Sequence, residues 1–143
     1  MNLSKHLNNK KKDFFFSIGG IGEIGGNNYL YSFGGEQLII DAGISFAGDE
    51  LPGVDISIPD PSYFLDKDIK PKALILTHAH EDHVGGLEYY FDKINFTIYC
   101  TEFTFAYIRH KFNRVQNFEN KFKIIKPYEK IKFNNFSFSL VPT

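Results

Sequence analysis

Short runs in which large apolar residues alternate with polar ones, or crowd them out, punctuate this chain, and Gly, Asn or Pro bounds most of them. Phe14 to Ile18, Asn28 to Phe33 and Gln37 to Asp41 are β-rich, and the last two are joined by Gly34-Gly35, a pair suited to the positive φ angles of a tight hairpin. Ala73 to Leu76 is wholly apolar, as expected of a strand buried on both faces of a sheet that helices cover. Thr97 to Cys100, Lys123 to Ile125, Lys130 to Phe133 and Phe136 to Val141 complete the predicted strands, with Asn134-Asn135 as the final turn. Two helices are expected. Leu87 to Phe91 is short, and Glu102 to Asn117 should bury Phe103, Ala106, Tyr107 and His110 or Ile108 on one side. Strands that alternate with helices after Leu76 point to the α/β class.

Between these runs the pattern lapses twice. Residues 1–13 are polar and rich in Lys and Asn, and read as a flexible arm. Ala42 to Asp60 carries Gly43, Gly48, Pro52, Gly53 and Pro59, and reads as an ordered loop without regular structure. A loop of that length in a compact domain tends to be functional or disordered. No internal repeat is evident.

Composition narrows the function classes. The 143 residues are enough for one domain. Sixteen Phe and eight Tyr favour strands over disorder. A net charge of −1 gives no global basic excess for nucleic acid, although Lys10 to Lys12 and Lys121, Lys123, Lys126, Lys130 and Lys132 form local clusters that surface solvation explains. No apolar run is long enough to span a bilayer, so no membrane partner is expected. The single Cys100 has no disulfide mate and reads as a core filler, and no signal segment follows Met1; a reducing, cytoplasmic setting is the default expectation.

The chemistry lies directly after Leu76. His78, His80, Asp82 and His83 fall within six residues at the end of an apolar strand. Imidazole and carboxylate hold Zn²⁺, and Mn²⁺ suits the same donors. His78 and His80, two apart in extended chain, project to one side and can grip one ion, while Asp82 and His83 can reach a second. His110, the remaining histidine after the motif, sits in a helical pattern and reads as a surface or packing residue.

The stretch Thr77-His78-Ala79-His80-Glu81-Asp82-His83-Val84-Gly85-Gly86 resembles the signature loop of the metallo-β-lactamase superfamily. Gly19 to Asn27, Ile40-Asp41-Ala42-Gly43 and Leu51 to Asp60 resemble the opening of bacterial ribonuclease J, in the β-CASP nuclease branch, with Gly26 where a bulkier residue is common. The likeness implies the amino-terminal part of an αββα sandwich over residues 14–143, with the second half and the β-CASP domain absent. It implies RNA as partner, and it allows a homo-oligomer of the complete protein. It also implies metal ligation by His78, His80, Asp82 and His83, with Asp82 and His83 as the catalytic pair. Asp41 would orient the ligand loop from behind; a carboxylate that merely caps a turn is the plainer reading of Asp41. Two ions about 3.5 to 4 Å apart would hold a hydroxide that attacks an RNA phosphodiester.

Four ligands shared between two ions leave each with two protein donors, where catalytic zinc usually has three. The 143-residue chain by itself is therefore expected to be inactive or nearly so. Two alternatives stay open. One is a hydrolase of the same superfamily acting on a thioester or lactone, and the other is a non-catalytic, truncated metal-binding or interaction fragment. The glycine-rich opening could cradle phosphate through its N–H groups or serve only as a turn between strands.

Overall fold

A computed structural model describes residues 13–48, 52–60, 62, 69–112 and 118–142. The polar arm, but for Asp13, and the Lys10 to Lys12 cluster lie outside the described residues.

Strands β1 (Phe14–Gly19), β2 (Asn28–Phe33), β3 (Glu36–Ile40), β6 (Pro71–Ile75), β7 (Thr97–Cys100) and β8 (Phe122–Ile124) form one six-stranded sheet in the order β1-β2-β3-β6-β7-β8. β1 pairs antiparallel with β2 and β2 with β3, and β3, β6, β7 and β8 are mutually parallel. Gly34 and Gly35, at φ 55° and 86°, supply the hairpin turn between β2 and β3 that their sequence promised. The β6–β7 and β7–β8 connections pass through helix. Between β6 and β7 come α1 (Glu81–Val84), α2 (Leu87–Tyr90) and a 3₁₀ turn at Phe91–Lys93; between β7 and β8 comes α3 (Glu102–Lys111).

Period-two alternation then sorts side chains onto two faces. Leu74, Leu76, Ile98 and Cys100 meet Val84, Leu87, Tyr90, Ile108 and Phe112 from the helical layer. Ala73 and Tyr99 face the other way, against Ile125 and Ile131, with Phe133 and Phe138 packed beside them. The latter come from a small antiparallel ladder, β9 (Ile131–Lys132) with β10 (Ser137–Phe138). The central strand β6 is thus buried on both faces, as an unbroken apolar run requires.

Three expectations need correction. Residues 42–60 are not without regular structure: β4 (Ser45–Phe46) pairs with β5 (Ile56–Ser57), extended by Ala47 N–H donating to the Asp55 carbonyl at 3.1 Å. Two-residue strands are too short for any periodicity to show. The buried face of α3 is Thr104, Ile108 and Phe112, while Phe103, Ala106 and His110 are exposed and Tyr107 is half-buried. The Thr101 hydroxyl accepts from Thr104 N–H and caps the helix start, while Ile108 and Phe112, with the half-buried Phe105 and Tyr107, pack on the core and carry Thr104 inward with them. Regular α-helix ends at Lys111, and 113–117 lie outside the described residues. The last predicted strand, Phe136 to Val141, is regular only at Ser137–Phe138.

Cys100 is fully buried, and burial pushes its thiol up to about 12. It behaves as the small apolar filler expected of it. No helix among the described residues is long and apolar enough to cross a membrane.

Candidate metal centre

The ends of the parallel strands β3 and β6 converge on the histidine motif. Asp41 directly follows β3 and adopts the left-handed region at φ 61°, which Asp tolerates better than most residues. Its N–H still bonds to the Ile75 carbonyl at 2.9 Å, so it stays in register with β6 while its carboxylate turns under the following loop. There it accepts from Thr77 N–H at 2.8 Å, from the Thr77 hydroxyl at 2.8 Å and from His83 Nδ1 at 2.8 Å. Asp41 is only 2% exposed, and these donors compensate a carboxylate removed from water. It does more than cap a turn.

These contacts assign both imidazoles. The Thr77 hydroxyl has one hydrogen, which the Asp41 carboxylate takes; His78 Nδ1, 2.9 Å from that hydroxyl oxygen, must then be the donor. His83 Nδ1 likewise donates to Asp41. Both rings are left with Nε2 as the free lone pair, the tautomer a metal ligand needs. Their centroids lie 4.0 Å apart, and His80 stands 4.6 Å from His78. His78 and His80 flank the buried Ala79 and project outward together, as two residues of an extended stretch should.

Asp82 and His83 sit on α1, one helical turn that follows the extended stretch of His78 and His80. Asp82 Oδ2 lies 3.4 Å from His83 Nε2. Two donors about 2.1 Å from one cation at a tetrahedral angle stand about 3.4 Å apart, so this pair fits a shared ion. Among the described residues, no group of three or more His, Cys, Asp or Glu side chains is placed to hold an ion.

Titration differs across the cluster. Burial, reinforced by the neighbouring His83 and His80, lowers the His78 pKa despite the attraction of Asp41 and Asp82, and keeps the ring neutral. Burial also opposes charge on His83, but the Asp41 hydrogen bond and the charges of Asp41 and Asp82 outweigh it and raise its pKa. Glu81 points away from the imidazoles. Its carboxylate accepts from Tyr107 Oη and Lys111 Nζ on α3, which ties the ligand-bearing turn to that helix.

Three contributors escaped the sequence reading. Thr77 relays between Asp41 and His78. Asn27 Nδ2 lies 3.1 Å from Asp82 Oδ2, 3.1 Å from the Asp82 carbonyl and 3.2 Å from His83 Nε2. Tyr29 Oη donates to Asn27 Oδ1 at 2.8 Å and thereby settles which end of the amide faces the site. Burial first, and then the charge of Asp41, raise the Tyr29 pKa and keep it a donor. The one hint in the sequence was an amide residue at the end of a glycine-dense stretch. That stretch needs its glycines, since Gly20, Gly22, Gly25 and Gly26 all have positive φ.

Close packing holds the assembly in place. A Cβ on Gly43 would lie 1.7 Å from the Asp82 carbonyl oxygen, and Gly43 N–H donates to Asn27 O at 3.0 Å. The loop after β3 and the turn carrying Asp82 therefore approach as closely as backbone allows.

Comparison with known proteins identifies the family. The family model of the metallo-beta-lactamase superfamily matches residues 21–136. Ribonuclease J 1 of Streptococcus pyogenes is 47% identical over 96 residues, covering 67% of this chain and 17% of that protein. Ribonuclease J of Helicobacter pylori is 39% identical over 123 residues, covering 85% of this chain and 18% of its own length. The chain thus spans less than a fifth of either relative. A flavo di-iron protein from Thermotoga maritima shares the fold with a TM-score of 0.55 at 16% identity, over 80% of this chain and 26% of that one. With a family match across most of its length and the His-x-His-x-Asp-His turn at the end of a buried parallel strand, the chain belongs to the metallo-β-lactamase superfamily, and its sequence likeness within it is to ribonuclease J.

Proposed function

We propose that this chain carries the metal-binding turn of a ribonuclease J-like hydrolase that cleaves RNA phosphodiesters in the cytoplasm. Residues 14–143 are read as part of a larger metallo-β-lactamase domain, in keeping with the small share of each relative that the chain spans. The observation that carries the proposal is the tautomer relay: one buried carboxylate, Asp41, commits Nδ1 of His83 directly and Nδ1 of His78 through Thr77, leaving both Nε2 atoms as donors.

His78 and His80 would hold one divalent cation, and Asp82 with His83 a second, with Zn²⁺ and Mn²⁺ equally suited to the donor set. Such cations lower the pKa of water toward neutrality and offset negative charge growing on a phosphodiester oxygen. The remaining work falls to the chain. Asp41 keeps the rings oriented and, in the case of His83, stabilises the proton on Nδ1. Glu81, held by Tyr107 and Lys111, fixes the angle at which α1 presents Asp82. Two donors per ion should bind weakly, and further donors from a complete protein would raise affinity.

A chimera tests this. The corresponding segment of the Helicobacter pylori ribonuclease J is replaced by this chain and assayed for RNA cleavage with Zn²⁺ or Mn²⁺. Metal-dependent cleavage that His80→Ala abolishes is the expected result; a folded, metal-loaded chimera that leaves RNA intact would refute the proposal.

A further inference from the structure

The Asn27 side chain has more to do than its place at a strand entrance requires. Its amide nitrogen has two hydrogens and three acceptors within 3.2 Å: Asp82 Oδ2, His83 Nε2 and the Asp82 carbonyl. The first two are the lone pairs that would grip a cation, and their own separation is 3.4 Å. Asn27 Nδ2 therefore forms the third corner of a triangle with sides of 3.1, 3.2 and 3.4 Å. His83 Nε2 has a single lone pair, so an Asn27 N–H pointing at it and a divalent cation bonded to it exclude one another.

Resting on the metal-site reading above, we infer that the Asn27 carboxamide competes with a divalent cation for Asp82 and His83, so that it keeps the two donors converged and sets the threshold at which metal enters. A purely structural role does not account for this arrangement. The backbone N–H of Asn27 already bonds to the Asp82 carbonyl at 3.0 Å, and Asn27 O accepts from Gly43 N–H at 3.0 Å, so the two segments stay joined without the side chain. The amide is also aimed. Tyr29 Oη holds Oδ1 at 2.8 Å and so turns the nitrogen toward the donors. Asn27 is thus a positioning residue, acting through Asp82 and His83.

The competition gives position 27 an unusual signature. Removing the amide in Asn27→Ala should tighten Zn²⁺ or Mn²⁺ binding by roughly 3- to 10-fold, the worth of a net hydrogen bond or so, while lowering the melting temperature measured in chelator. Asn27→Asp should tighten it further, because an acceptor oxygen would replace the donor at the third corner and complete a three-donor set. Tyr29→Phe, which leaves the amide present but free to turn, should shift affinity the same way by less, and it guards against an Asn27 variant that fails to fold.

Affinity is measured by chelator competition on the purified chain, with Asp82→Ala as the control that removes the pair. Tighter binding in the order wild type, Asn27→Ala, Asn27→Asp is the expected result. Equal or weaker binding in both variants, with Asp82→Ala still removing one of the two ions, overturns the competition while leaving the metal site intact. Failure of every chain, wild type included, to take up either metal would remove the metal-site reading and this inference with it.

Discussion

Substituting Asn for Asp41 changes one oxygen to an amide nitrogen and should disable the cluster without unfolding it. Asn tolerates the left-handed φ of 61° at this position, so the backbone is spared. The carboxylate accepts from three donors, two on Thr77 and one on His83. An amide offers one oxygen. If that oxygen stays with Thr77, the NH₂ faces His83 Nδ1 across a 2.8 Å contact. The ring can satisfy this only by moving its proton to Nε2, the atom that faces Asp82. A ligand held in the wrong tautomer should cost 10- to 100-fold in metal affinity, about 1.4 to 2.7 kcal/mol. Chelator competition with Zn²⁺ reads the affinity, and ¹⁵N chemical shifts of the His83 ring read the tautomer. Asp41→Ala should lose as much affinity and melt lower than Asp41→Asn, because Ala adds a backbone penalty of about 1–2 kcal/mol at positive φ. Unchanged affinity with the proton still on Nδ1 in Asp41→Asn would refute the relay.

Glu81 provides a pH test. Burial raises its pKa, but hydrogen bonds from Lys111 and Tyr107 and the Lys111 charge outweigh it and hold the carboxyl below its ordinary value of 4.5. Its contribution to stability should be present above that value and lost as pH falls through the lower folded one, so melting curves of wild type and Glu81→Gln should differ at neutral pH and converge in acid. Gly43→Ala places a methyl 1.7 Å from the Asp82 carbonyl and should destabilise by about 3 kcal/mol or more, read as a large drop in melting temperature. Cys100, fully buried with its thiol pushed up to about 12, should resist a thiol-reactive dye until the chain is unfolded. RNA incubated with the purified 143-residue chain and Zn²⁺ or Mn²⁺ should survive nearly intact, because two protein donors per ion would hold each ion poorly; robust cleavage abolished by His80→Ala would overturn that expectation.

Where the sequence could be read, the reason is local. Asn28–Phe33 and Thr97–Cys100 announce themselves by strand-forming residues between breakers, and their bounds match the structure. The donors of the candidate site share one turn, so spacing alone gathers them. Their supports do not. Asn27 reaches Asp82 across 55 positions and Glu81 reaches Lys111 across 30, and no periodicity encodes such contacts. Asp41, 42 positions from His83, was legible only because it ends an apolar strand next to a glycine and because the stretch resembles a known family. The inward face of α3 was misjudged for a different reason. Phe103 is among its largest apolar residues, yet it is 76% exposed, because the helix packs through Phe105, Ile108 and Phe112, a set that carries the polar Thr104 inward and leaves position 103 outside. The β4–β5 ladder fell below the length at which alternation means anything.

Everything functional here depends on whether the imidazoles after Leu76 and the Asp82 carboxylate share cations. Metal content and stoichiometry of the purified chain, titrated with Zn²⁺ and with Mn²⁺, address this most directly. The account predicts weak uptake approaching two ions per chain, reduced toward one by Asp82→Ala or by His80→Ala and nearly abolished when the two are combined. No uptake of either ion, or uptake indifferent to both substitutions, would contradict it.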